Sequence, residues 1–235
     1  MKNWKRVILK VSGEAFKGKY DYGQDLDAVD DLATDIGEVV KSGVQLCLVV
    51  GGGNISRGSQ VDCKRIDRAR ADYMGMLGTV INALCLQAIL TSHGIKSKVL
   101  SSVAMESICG TYSQERAMDY MSQGIVVIFA AGTGNPFVST DTATVFRGIE
   151  MHCDVMLKGT QVDGVYSSDP RTDSNAQKID ELTYDEVLNK HLRVMDLPAV
   201  SVASEHKLPI IVFSIHKKGE IGRVLNGSGN FTIIR

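Results

Sequence analysis

Three glycine-rich turns restrict the architectures open to this chain. They are Ser12-Gly13, Gly51-Gly52-Gly53-Asn54 and Gly132-Thr133-Gly134-Asn135-Pro136. Each follows a largely apolar run, at residues 6–11 (apart from Arg6 and Lys10), 44–50 (apart from Gln45) and 125–129. The runs are continuous rather than alternating, which marks strands of a parallel sheet covered on both faces. Helical stretches separate them. Residues 26–41 place Leu26, Val29, Leu32, Ile36, Val39 and Val40 on one face, and residues 69–92, 113–123 and 140–150 continue the alternation. Further strands are expected at 97–100, 154–157, 210–213 and 231–234. No linker or repeat interrupts the pattern, so residues 1–235 read as one domain.

In an open parallel sheet, ligands bind outside the carboxyl ends of the strands. Three turns at that edge converge on one cleft, and each following helix is expected to aim its positive end there. Glycine lets backbone N–H groups approach a phosphate closely. None of the turns has the P-loop spacing or the dinucleotide-binding Gly-x-Gly-x-x-Gly pattern. The chemistry pointed to is anion binding outside the two commonest nucleotide folds.

Composition removes other classes. A net charge of −1 gives no support for nucleic-acid or membrane partners. No uninterrupted apolar run approaches bilayer length, and the apolar stretch behind the basic N-terminus is too short for a signal peptide, so a cytoplasmic protein is expected. The five cysteines lack Cys-x-x-Cys spacing and read as buried thiols in a reducing compartment; the histidines show no metal-ligand spacing. No metal site built from protein side chains is expected.

Several residues could carry chemistry. Lys10 interrupts an apolar strand, either as a snorkelling edge residue or as a phosphate-binding cation at the cleft; the convergent turns favour the second. Arg57 follows the second turn, where a guanidinium can grip phosphate in bidentate fashion. Asp72, in a long helix, is either solvated or faces sugar hydroxyls. Thr140 and Asp141 stand at a helix start, where either could be the N-cap. Asp196 is an acid among apolar neighbours, with a capping role as its plain alternative.

These stretches resemble the uridylate kinase branch of the amino-acid kinase superfamily. The likeness runs through Leu9-Lys10-Val11-Ser12-Gly13-Glu14-Ala15, Gly51-Gly52-Gly53-Asn54 and Asp72-Tyr73-Met74-Gly75-Met76-Leu77. It continues through Ala131-Gly132-Thr133-Gly134-Asn135-Pro136-Phe137 into Thr140-Asp141. Lys158-Gly159-Thr160-Gln161-Val162-Asp163-Gly164-Val165-Tyr166, Asp169-Pro170 and Val194-Met195-Asp196-Leu197 complete it. The resemblance implies an α/β fold, a three-layer α/β/α sandwich with a mostly parallel central sheet. It implies transfer of the ATP γ-phosphoryl group to UMP with Mg²⁺, in pyrimidine nucleotide biosynthesis, by a cytoplasmic homohexamer under allosteric control.

Carried over residue by residue, the resemblance gives the catalytic positions to Lys10, Asp196, Arg57 and Asp141, with Asp196 orienting Lys10. ATP would contact Lys10, Val11, Ser12, Gly13, Gly53, Arg57, Thr160, Tyr166 and Asp169. UMP would contact Gly52, Asp72, Thr133, Gly134, Asn135, Pro136, Phe137, Val138, Ser139 and Thr140. Gly18, Lys19, Tyr20, Asp21, Tyr22 and Gly23 resemble an effector-adjacent segment. Lys98 and Ile125 stand where GTP-activated relatives carry arginine, which argues against GTP activation and leaves UTP inhibition open. The acceptor is a phosphate with its second pKa near 6, largely ionised at neutral pH, so no general base is needed. Two alternatives compete: a kinase for a carboxylate or carbamate such as acetylglutamate, and a non-catalytic nucleotide sensor.

Overall fold

The computed structural model describes residues 4–56, 64–190, 192 and 194–235. The chain runs β1 (Arg6–Val11), α1 (Gly13–Lys17), α2 (Leu26–Lys41), β2 (Gln45–Val50), α3 (Arg68–Ser92), β3 (Ser97–Ser101), β4 (Gly110–Thr111), α4 (Gln114–Ser122), β5 (Val126–Ala130) and α5 (Thr140–Glu150). It continues with β6 (Val155–Thr160), β7 (Val165–Tyr166), β8 (Lys178–Ile179), β9 (Glu181–Leu182), α6 (Tyr184–Asn189), α7 (Leu197–Glu205), β10 (Ile210–Ser214), α8 (Glu220–Leu225) and β11 (Phe231–Ile234).

Among the described residues nine strands form one sheet in the order β4-β3-β5-β2-β1-β6-β10-β11-β9, and β7 pairs with β8 as a separate ribbon. Pairing in the large sheet is parallel except between β10 and β11. The apolar runs bury both faces, as continuous hydrophobic strands must. One face packs Val7, Leu9, Leu48 and Ile128 with Val29, Leu32 and Ile36 of α2 and Val80, Leu86 and Leu90 of α3. The other packs Ile8, Val49, Val127 and Met156 with Val145 of α5, Val187 of α6 and Ala199 and Ala203 of α7. Three layers result.

The structure departs from the sequence reading in places. Gly13 opens a short helix rather than sitting in a plain turn, because Ser12 caps it by accepting from the Glu14 N–H. β6 extends to Thr160. The 25-residue α3 has the length and composition to cross a membrane, which counting uninterrupted apolar runs missed, since Asn82 and Gln87 break the run. In the fold it is a core helix: Ala71, Met76, Val80, Ala83, Leu86 and Leu90 are buried. Its other side leaves Tyr73, Leu77 and Ile81 about half exposed. Of the described cysteines only Cys47 is fully buried; Cys85, Cys109 and Cys153 are half-buried, and Cys63 lies outside the described residues.

Candidate active site

β1 and β6 lie side by side, and their register sets Lys10 opposite Lys158. Paired residues of neighbouring strands share a face of the sheet, so two lysines emerge together from its centre. Lys10 is therefore not a snorkelling edge residue. Asp141, in the first turn of α5, reaches between them. Its Oδ2 lies 2.5 Å from the Lys158 ammonium and its Oδ1 3.3 Å from that of Lys10. Lys158 also donates to the Val194 carbonyl at 2.5 Å. Among the described residues no hydrogen bond is aligned on the buried Asp141 Oδ1, so its contact with Lys10 is an ion pair of loose geometry.

Burial works against the Asp141 carboxylate, but Lys10 and Lys158 outweigh it and hold the group below the usual carboxylate range. Burial, helped by nearby Lys10, lowers Lys158, and Asp141 offsets this only in part. One carboxylate, Asp141, thus stands between the two ammonium groups, and the nearby Asp196 carboxylate also favours the charged form of Lys158. An incoming phosphate would favour that charged form further.

Asp196 occupies the N-cap position of α7 but makes no capping hydrogen bond. Its carboxylate instead accepts from Ser139 Oγ at 2.8 Å and Thr142 Oγ1 at 2.5 Å. Asp196 thereby ties α7 to the start of α5. The contact with Lys10 expected of Asp196 belongs to Asp141, because Asp196 is spent on the two hydroxyls that seat the helix carrying Asp141. The N-cap of α5 is Ser139, not Thr140 or Asp141; its hydroxyl accepts from the Thr142 N–H at 3.0 Å.

The first two glycine turns interlock. A Cβ on Gly13 would sit 2.6 Å from the Gly53 nitrogen, and one on Gly51 2.9 Å from the Gly13 nitrogen. Gly52 lies against α3, where a Cβ would meet Gly75 O at 2.5 Å and the Thr79 nitrogen at 2.7 Å. It is the middle of α3, not its positive end, that meets this turn, since α3 begins only at Arg68. Buried Asn82 locks the turn from below, donating to Gly51 O and Asn54 Oδ1 at 2.7 Å each. Gly52→Ala must push backbone against backbone and is expected to destabilise the fold by about 1–3 kcal/mol. Urea unfolding measures this, and an unchanged midpoint contradicts the packing described.

The third turn follows β5. Ala131 and Phe137 hold φ of 60° and 68°, and Gly132 and Gly134 also lie in the left-handed region. Non-glycine residues persist there only when their surroundings dictate it. Phe137 N–H donates to Asp72 Oδ2 at 2.8 Å, and Arg68 Nε donates to Asp72 Oδ1 at 2.8 Å. Asp72 thus anchors the loop of residues 131–139 to α3 and is not simply solvated.

Beyond the lysine pair opens a cleft of about 740 Å³, reaching from Lys10, Ser12 and Lys158 to Thr160, Tyr166 and Asp169. Thr160 Oγ1 bonds both the N–H and the carbonyl of Val162, shaping the turn after β6. Tyr166 donates to Asp163 at 2.7 Å. Asp169 is exposed and gripped by Arg171, whose guanidinium holds it down to a pKa of about 2. Thr160, Tyr166 and Asp169, the three later residues expected from sequence to contact ATP, all line this one cleft. Arg57 lies outside the described residues. The segment 18–23 sits next to the second turn, joined by Gly23 N–H donating to Asn54 O and Asn54 Nδ2 donating to Gly23 O.

Lys158 was missed as a site residue. The signal was present: it interrupts Val155-Met156-Leu157 just as Lys10 interrupts Val7-Ile8-Leu9.

Paired cations on adjacent parallel strands, Lys158 buried and Lys10 partly so, set beside interlocked glycine turns, suit one class of chemistry: binding and transfer of a phosphoryl group, where charge neutralisation replaces acid–base work. Comparison with known proteins agrees with that class. The model of the amino acid kinase family matches residues 5–214. A uridylate kinase of Bartonella bacilliformis is 52% identical over 231 residues, covering 98% of this chain and 97% of that protein. The crystal structure of a UMP kinase from Bacillus anthracis superposes with a TM-score of 0.95 at 35% identity, covering 100% of this chain and 97% of that one. One from Ureaplasma parvum superposes with a TM-score of 0.93 at 34% identity, covering 100% and 99%. The chain belongs to the amino acid kinase family.

Proposed function

We propose that this chain is an ATP-dependent UMP kinase, transferring the γ-phosphoryl group of ATP to UMP to give UDP and ADP. The observation that carries the reading is the Lys10–Asp141–Lys158 constellation at the inner end of the 740 Å³ cleft. The uridylate and UMP kinases matched over nearly the whole chain support the acceptor. ATP lies in the cleft toward Thr160, Tyr166 and Asp169, its phosphates on the backbone of Val11, Ser12, Gly13 and Gly53. UMP lies toward Gly52, Asp72 and residues 133–140. The two halves share one sheet and form a single domain, with the acceptor side mainly N-terminal.

The acceptor oxygen is already anionic, so the protein's task is positioning and charge neutralisation. Lys10 faces the transferring group and Lys158 supports it. Asp141 spaces the two, with Asp196 fixing the start of the helix that carries it. Arg57 is assigned to nucleotide phosphate. Mg²⁺ enters with ATP. The residues fit it: Asp141 Oδ1 is a buried acceptor with no hydrogen bond among the described residues, and magnesium takes one or two carboxylates plus substrate phosphates. Among the described residues no cluster of three or more ligating side chains could hold a resident metal. The bound ion would supply further neutralisation of phosphate charge.

The enzyme is placed in the cytoplasm as a homohexamer, and the half-exposed Tyr73, Leu77 and Ile81 on α3 offer apolar surface for subunit contacts. UTP is the proposed inhibitor; GTP activation is not proposed, given Lys98 and Ile125.

A substrate panel tests the assignment. Purified protein with ATP and Mg²⁺ is offered UMP, CMP, dUMP and acetylglutamate, with products separated by anion exchange. UDP forms from UMP, and the other acceptors react far more slowly. Absence of UDP would remove the acceptor, and acetylglutamate turnover would replace it.

A further inference from the structure

Arg147 is a buried cation on α5 that the phosphoryl-transfer site does not touch; its side chain is only 9% exposed. Its guanidinium lies 3.6 Å above the Tyr112 ring, pairs with Glu150 through Nη1, and donates through Nη2 to Ser102 Oγ at 2.9 Å. Tyr112 donates its hydroxyl to the same Glu150 oxygen. Because Arg147 fills an acceptor site of the Ser102 hydroxyl, the Ser102 proton is directed elsewhere, and it goes to the Gly132 carbonyl at 2.7 Å. The donors therefore run one way, from Arg147 through Ser102 to the third turn.

That turn is where the backbone is most constrained. Ala131 and Gly132 are both left-handed, and Thr79 Oγ1 accepts from the Ala131 N–H at 2.7 Å on the other side. In a trans peptide the C=O and the next N–H point opposite ways. Fixing Gly132 C=O on Ser102 therefore turns the Thr133 N–H away from Ser102, and among the described residues that N–H has no partner.

We infer that Ser102 and Arg147 are positioning residues that set the Gly132–Thr133 peptide and so present the Thr133 N–H to the acceptor nucleotide. The inference rests on the reading of residues 133–140 as the acceptor side. Two variants test it, Ser102→Ala, which removes only an oxygen, and Arg147→Lys, which keeps the charge but not the fork between Glu150 and Ser102. Hydrogen exchange in the ligand-free protein should speed up at residues 131–134 in both, while residues 7–11 stay protected. The KM for UMP should rise about tenfold, the size of one lost hydrogen bond with a stranded partner, with the KM for ATP within about twofold of the parent's. A purely structural role would instead shift both KM values together with the melting temperature. Unchanged exchange at 131–134, or a parallel rise in both KM values, overturns the inference. If the unmodified enzyme does not use UMP, the acceptor reading fails separately, and the exchange measurement alone still decides whether the relay holds the turn.

Discussion

Replacing Lys10 with alanine is expected to lower kcat by roughly 10²–10³-fold while leaving a folded protein, the usual loss when one preorganised electrostatic donor is removed from a transition state. The two lysines are not equivalent. Lys158 spends hydrogen bonds on Asp141 and Val194 O, whereas among the described residues Lys10 has only its loose ion pair with Asp141. The ammonium of Lys10 thus keeps its donors for a ligand, and it lines the cleft beside Ser12. Removing it leaves Asp141 paired with Lys158, so no buried charge is stranded and stability should change little. Steady-state kinetics with ATP and UMP, beside a thermal melt, reads both effects. A kcat within tenfold of the parent's would take the transferring role from Lys10. Lys10→Arg should not restore activity, because a planar guanidinium cannot occupy the point position of an ammonium held 3.3 Å from Asp141.

Much of this arrangement was legible in the residues, for a physical reason. Continuous apolar strands and amphipathic helices report the layers directly, and glycines after strands report the binding edge, since both signals are local in sequence. What stayed hidden depends on register and on cross-chain contacts. That Lys10 faces Lys158 follows from the pairing of β1 with β6, which lie about 150 residues apart, as the register shows. That Asp196 forgoes its cap to bind Ser139 and Thr142 could not be read from its helix, because in sequence a capping aspartate and a bridging one look the same. Asp72 was placed on the acceptor side by resemblance alone. Its anchoring of the Phe137 N–H shows how that side is assembled, through a loop whose left-handed residues no propensity would suggest. Lys158 escaped because one lysine in an apolar strand can be a snorkelling edge residue; two in register cannot.

Asp141→Asn should produce the largest loss of stability at the site, about 3–5 kcal/mol, because removing one partner of a buried ion pair leaves an uncompensated charge. Lys158, its side chain 9% exposed, would face Lys10 with a neutral amide in place of the carboxylate that pairs with both. The cause can be isolated by a second change. Adding Lys158→Met removes the stranded charge while roughly preserving volume, and the double variant should regain most of the lost stability in urea unfolding yet remain inactive. Acid gives an independent check. The Asp141 carboxyl titrates below its ordinary value of 3.8 in the folded protein. Its stabilisation is therefore complete above that value and is lost as pH falls through the lower folded-state value. Asp141→Asn lacks this step, so the gap in stability between parent and variant should narrow only below about pH 3.8, the unfolded-state value. If the double variant is no more stable than Asp141→Asn alone, charge stranding is not the cause, and Asp141 holds the site through its hydrogen bond with Lys158 rather than by balancing the charge of the lysines.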